Sequence, residues 1–291
     1  MKKKRIPIAL IVFLLSVAIL ALYIVYDSSK TDGIAPEIKI EEGTLTLSVN
    51  DGEEVLLTGV TARDDKDGDV TGSLIVESVY GISEDGSVTV RYAAFDKAGN
   101  VSTAERTVVY GDYESPVITL DGALVFEYGT TFDVFDHVGA VDVFDGDITR
   151  RVKATMLSEG VTVGEEGTHD VQFRVTNSVG DSVQLVLPVE VYPDDAYNAS
   201  VTLSEWLVYV PAGAEFDADK YPTLFTTAYE EISLDEGAFE EVELIVESNV
   251  DVNVPGVYTV KYRAVKDMNG RSYVGYTKLI VVVEEGGANN G

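Results

Sequence analysis

The chain has 291 residues and carries 50 acidic against 21 basic side chains, a formal net charge of −29. An apolar fraction of 45% is that of a folded protein, which excludes a disordered acidic tail. The absence of cysteine excludes disulfides, thiolate catalysis and Cys-ligated zinc, and two histidines, His137 and His169, do not make a His-rich metal site. So acidic a chain lacks the Lys and Arg that neutralise phosphates, so no nucleic-acid partner is expected.

Residues 1–5 carry Lys2, Lys3, Lys4 and Arg5, and residues 6–26 run without a charge. About 20 apolar residues span ~30 Å of hydrocarbon as a helix, so 6–26 is predicted to be a transmembrane signal anchor with the lipid bilayer as its partner. Pro7 falls in the first turn, where a missing N–H costs little. Tyr23 and Tyr26 lie at the far end, where aromatic rings favour the interface. The basic end is expected in the cytoplasm and the rest outside, giving a single-pass protein of the cell membrane with an extracellular C-terminal region. A cleaved signal peptide would have a shorter core of ~7–15 residues and a small-x-small cleavage site, neither of which is present. Residues 27–34 read as a linker and 286–291 as a flexible tail.

Between them the sequence repeats. Ala35-Pro36-Glu37-Ile38 recurs as Ser115-Pro116-Val117-Ile118, and Asp67-Gly68-Asp69-Val70-Thr71 recurs as Asp145-Gly146-Asp147-Ile148-Thr149. The stretch Gly86–Asn100 matches Gly167–Asp181, and a third copy begins at Gly256. Three modules follow: 35–111, 112–193 and 194–285. In each, apolar residues alternate with polar ones before a Gly-containing turn (Val88, Val90 and Tyr92; Val171, Phe173 and Val175; Val260 and Tyr262), and a further strand comes at once. This is an all-β pattern, predicted to form tandem immunoglobulin-like β-sandwiches after the N-terminal helix. In such sandwiches a corner tyrosine sits two residues before the second disulfide position. Tyr258 in Gly256-Val257-Tyr258-Thr259-Val260 has that form, and His169 follows Gly167 in the matching place, so a structural role is expected for both. Gly86, Gly167, Gly256 and Tyr92 are assigned structural roles on the same grounds.

The series Asp64, Asp67-Gly68-Asp69, Thr71, Gly86, Tyr92, Asp96, Gly99-Asn100 and Arg106 resembles the bacterial Ig-like domain family first described from a pesticidal crystal protein. The second module keeps Asp145-Gly146-Asp147 and Thr149 but has Asn177 in place of the hairpin aspartate, and the third lacks the Asp-Gly-Asp motif. The resemblance implies a non-catalytic bacterial surface module used for spacing, display or adhesion.

Oxygen-rich loops are how proteins hold calcium. Asp64, Asp65, Asp67 and Asp69, with Asp145 and Asp147 of the second repeat, are candidate ligands, although the Gly spacing is not that of an EF-hand. The opposing reading is an Asx-type turn, in which the carboxylates bond their own backbone. Asp112 and Glu114, beside a module start, are candidates for a calcium site at a junction. For an extracellular partner, protein or glycan, Trp206 and Tyr209 of the distal module are the candidate contacts, since sugars stack on aromatic faces. No G-x-S-x-G, P-loop or H-E-x-x-H motif is present, so no enzyme is expected. The sequence thus predicts a membrane-anchored, non-catalytic Ig-like stalk or adhesion scaffold, with calcium stiffening left open against the Asx-turn reading and distal glycan binding as the alternative.

Overall fold

The computed structural model describes residues 8–30, 32–83, 85–157, 165–193, 196–234 and 241–285, the side chains of 8–11 and 27–30 excepted. The expected cytoplasmic segment 1–5 and tail 286–291 lie outside these residues. The chain divides into two compact units, Met1–Tyr113 and Glu114–Gly291. The expected boundary at 193/194 falls inside the second.

The first unit opens with α1 (Ile8–Lys30). Its described side chains, 12–26, are apolar on every face but for Ser16, and all are exposed. Among the described residues no helix is long and apolar enough to cross a membrane. The first residues of the expected span, 6 and 7, are not among them.

A sandwich follows. β1 (Glu37–Ile40), β3 (Val60–Asp64) and β4 (Gly68–Asp69) form a three-stranded sheet. β2 (Leu45–Leu47), β7 (Val101–Tyr110), β6 (Ser87–Phe95) and β5 (Ile75–Tyr80) form a four-stranded sheet, in that order. All pairings are antiparallel except β2 with β7. Along β6 the alternation read from the sequence sends Val88, Val90 and Tyr92 into the core.

The second unit builds the same plan twice. Its first sandwich pairs β8 (Val117–Leu120), β10 (Val138–Asp142) and β11 (Gly146–Asp147) in one sheet. The other sheet runs β9 (Val125–Glu127), β14 (Ser182–Tyr192), β13 (Gly167–Thr176) and β12 (Lys153–Met156). Its second sandwich pairs β15 (Ser200–Leu203), β17 (Pro222–Thr226) and β18 (Glu231–Ser233). Facing them are β16 (Leu207–Pro211), β21 (Arg271–Glu284), β20 (Gly256–Met268) and β19 (Glu243–Ser248). β9 pairs parallel with β14, and β16 with β21, as β2 does with β7.

Each closing hairpin is set by its turn. Asn269 and Gly270 both have positive φ (53° and 77°), the backbone of the two-residue turn that matches strand twist, and the β20–β21 register runs unbroken from Met268↔Arg271 to Gly256↔Val283. Gly86 lies where a Cβ would collide with Tyr110 O, a close approach that only glycine permits. Gly256 has no such constraint.

The two sandwiches of the second unit share packing. Ile280 of β21 is buried in the cluster built from Ile118, Phe126, Phe173 and Leu187, and Leu207 packs against it. Tyr209 Oη donates to Ile118 O at 2.8 Å. Behind them Lys278, 1% exposed, donates to Pro188 O at 2.6 Å, and Tyr276 Oη donates to both carboxylate oxygens of Glu190 at 3.0 and 2.9 Å.

Candidate functional site

The Asp-Gly-Asp motif forms the same loop in both repeats. Asp64 ends β3 and accepts the N–H groups of Lys66 (2.9 Å) and Asp67 (2.8 Å) on Oδ1; Asp142 ends β10 and accepts those of Phe144 and Asp145, each at 2.9 Å. Asp69 Oδ1 takes Thr71 N–H at 3.0 Å and Asp147 Oδ1 takes Thr149 N–H at 2.9 Å. The threonine hydroxyl oxygens accept Ala62 N–H and Ala140 N–H, both at 3.1 Å. Gly68 and Gly146 supply positive φ (79° and 67°) where the turn ends and β4 and β11 begin.

Asp67 and Asp145 reach across to the closing hairpin. Asp67 Oδ2 accepts Lys97 N–H at 2.8 Å and Asp145 Oδ2 accepts Ser178 N–H at 2.7 Å. Hydrogen bonds from Lys97 hold the Asp67 carboxyl below the usual carboxylate range, and Thr71 and Thr149 do the same for Asp69 and Asp147. For Asp145, burial pushes upward but the bonds from Ser178 and Arg151 outweigh it. Asp65 is exposed. Asp112 is held within the first unit by Ser48 Oγ (2.7 Å) and Val49 N–H (2.8 Å), and Glu114 is an exposed residue of the second unit.

Of the expected ligands, only Asp64 is gathered with other carboxylates into a three-carboxylate cluster among the described residues. One oxygen from each of Asp32, Asp64 and Asp96 lies within 4.8 Å of the others. Asp64 and Asp96 are buried, at 3% and 8% exposure, and the Asp32 side chain is 6% exposed. Asp96 follows β6, and Asp32 stands before β1. Asn100 stitches them together: its N–H and Nδ2 donate to Asp96 Oδ1 (2.8 Å) and Oδ2 (2.6 Å), and Nδ2 also lies 3.2 Å from Asp32 O. Burial raises the Asp96 carboxyl, but the Asn100, Gly99 and Ala98 hydrogen bonds prevail and hold it below the usual range. Lys66 Nζ is 3.8 Å from Asp32 Oδ1. Asp64 Oδ2 is buried with no hydrogen-bond partner.

Asp32 and Asp96 were not among the residues singled out as ligands. The repeat held the signal: Asp32, Asp64 and Asp96 align with Asp112, Asp142 and Asn177.

The structural tyrosines sit as hydrogen-bonded core residues. Tyr92 and Tyr262 are fully buried; Tyr92 Oη donates to Leu56 O at 2.8 Å and Tyr262 Oη to Ala218 O at 2.7 Å. Phe173 fills the matching place in the middle sandwich. Tyr258 Oη donates to Val254 O at 2.8 Å, four residues upstream, and His169 Nε2 lies 2.6 Å from Glu165 O, also four upstream. The histidine thus makes the corner contact of the tyrosine when Nε2 carries the proton.

Trp206 is half-buried and packs on the core of the distal sandwich, while Tyr209 spends its hydroxyl on Ile118. An open cleft in the same sandwich is instead lined by Phe216 and Tyr221, stacked at 5.7 Å, with Glu215, Asp217 and Lys220.

Residues 38–109 match the family described as "Bacterial surface protein, Ig-like domain". The match lies within the first sandwich. Among curated proteins no match is found. Among solved structures, the protocadherin GammaB4 extracellular domain is 11% identical, with 86% of this chain and 49% of that one covered and a TM-score of 0.21. The M60 catalytic domain with two CBM51 domains of Clostridium perfringens ZmpB is 14% identical, with 86% and 43% covered and a TM-score of 0.25. Mouse cadherin-23 EC22-24 is 13% identical, with 86% and 99% covered and a TM-score of 0.20. The chain spans about half the length of the first two structures. Likeness at this level assigns no ligand.

Proposed function

We propose that this chain is a non-catalytic scaffold of a bacterial cell surface, held in the membrane by its N-terminal helix and projecting Ig-like sandwiches outward. The observation that carries this reading is the surface Ig-like family match over 38–109, set on a plan of sheets that recurs twice more. The anchoring part of this reading rests on the sequence, the charge-free run of residues 6–26, and on the exposure of the described side chains 12–26 of α1. Four basic residues before it favour a cytoplasmic N-terminus. Fractionation of cells tests the anchor. The full chain is expected with the membranes, released by detergent and not by salt, while a chain lacking residues 1–30 leaves them. A full chain that is soluble without detergent would overturn it.

Glycan binding is the second reading, favoured by the cleft with Phe216 and Tyr221 stacked beside Glu215 and Asp217. It moves the contact away from Trp206 and Tyr209. Its check is a glycan-array screen in which Phe216→Ala abolishes any signal; a signal that survives the substitution, or none at all, removes it.

A further inference from the structure

We propose that Asp32, Asp64 and Asp96 form a binding site for a hard divalent cation, calcium in the first place, which fastens the segment entering the first sandwich to its core. The site does not depend on the membrane anchor or on any surface role.

Three observations point to an ion. Carboxylate oxygens of the three residues converge within 4.8 Å, from positions far apart in sequence. Asp64 is 3% exposed, and its Oδ2 is buried without a partner while Oδ1 is fully used by two backbone N–H groups. A buried carboxylate oxygen left bare costs free energy that a cation would recover. Of the three carboxylates, Asp32 has an ammonium near it, Lys66 Nζ at 3.8 Å, and no ion pair to Asp64 or Asp96 is found among the described residues; a divalent ion would cancel the negative charge gathered there.

The middle sandwich is the internal control. There Asn177 replaces the hairpin aspartate, and its Nδ2 donates to Asp142 Oδ2 at 3.0 Å. The oxygen equivalent to the bare one of Asp64 is therefore satisfied by an amide. Where the amide is absent, a cation is the natural occupant. Calcium suits the place because it accepts oxygen ligands in flexible geometry at 2.3–2.6 Å, a range of about a few tenths of an ångström that converging carboxylates from a loop and two strand ends can meet.

Such an ion would tie residue 32, outside the sandwich, to the ends of β3 and β6. Asn100 already makes a neutral version of that tie through Asp32 O and Ile34 O (3.2 and 3.3 Å). The ion would add a charged one.

The test is isothermal titration of the full chain in mild detergent with calcium chloride, after chelator treatment. One saturable site is expected, with a rise in melting temperature. Asp96→Asn, which copies the middle sandwich, is expected to keep the fold and weaken the site at least tenfold. Asp32→Asn lies outside the strands, leaves the fold intact and is expected to do the same. Asp65→Asn, exposed and outside the cluster, is expected to leave binding unchanged. Absence of heat and of any melting shift up to millimolar calcium would overturn the proposal. So would binding that both Asp96→Asn and Asp32→Asn leave at wild-type affinity, since the ion would then sit elsewhere.

Discussion

Asn177 and Asp142 of the middle sandwich are joined by an amide-to-carboxylate hydrogen bond of 3.0 Å, in the place where the first sandwich sets Asp96 and Asp64. One substitution between repeats changes a satisfied amide–carboxylate pair into two carboxylates. Asn177→Asp removes the donor and buries a second charge beside Asp142, both being under 8% exposed. The expected loss is about 2 kcal/mol or more at neutral pH, the cost of an unsatisfied buried charged group. Denaturant unfolding in chelator checks it, and an unchanged midpoint would show that the pair is not coupled.

The two buried tyrosines differ in what they leave behind. Tyr262 is the described side-chain donor to Ala218 O, whereas Leu56 O receives both Tyr92 Oη and Arg106 Nη2, the latter at 2.6 Å. Tyr262→Phe is therefore expected to cost about 1–3 kcal/mol, and Tyr92→Phe less, about 0.5–1 kcal/mol. Phe173 shows that the ring alone fits this place. Paired denaturation curves check the order; a larger loss for Tyr92→Phe would contradict it.

Lys278 gives the second unit a pH signature. Burial lowers its ammonium to about 8 from 10.5, with Glu190 opposing and Lys261 adding to the shift. Because the folded value lies below the unfolded one, the unfolded chain holds more protons between them, so stability rises as pH climbs through that window. Below about pH 8 both states are protonated and the buried charge is a standing cost. Tyr276, raised by burial and Glu190, works the other way above about pH 10. Between about pH 7 and pH 9.5 the wild type should gain melting temperature relative to Lys278→Met. Parallel curves for the two proteins would show that Lys278 does not titrate in that window.

Much of this was legible in the sequence because its causes are local. Period-two alternation set the β6–β7, β13–β14 and β20–β21 hairpins, and Asn269-Gly270 named its own turn. The Asp-Gly-Asp motifs run from a turn into β4 and β11, and the Asx-turn reading describes the observed bonds of Asp64, Asp69, Asp142 and Asp147. The carboxylate cluster was not legible in the same way. Asp32 reads as linker and Asp96 as part of a hairpin, and they reach Asp64 only in the fold, where β1 pairs with β3 while β6 belongs to the other sheet. Tyr209 looked available for a ligand because nothing in its own segment reveals Ile118 as its acceptor, 91 residues away.

The central claim is display outside the cell from a membrane-held N-terminus. Proteinase K added to intact, cell-wall-stripped bacteria measures it most directly, with antibodies to the two ends of the chain. The sandwiches are expected to be digested while a cytoplasmic marker and a short N-terminal fragment survive. A full-length chain that persists until the cells are lysed would contradict the account.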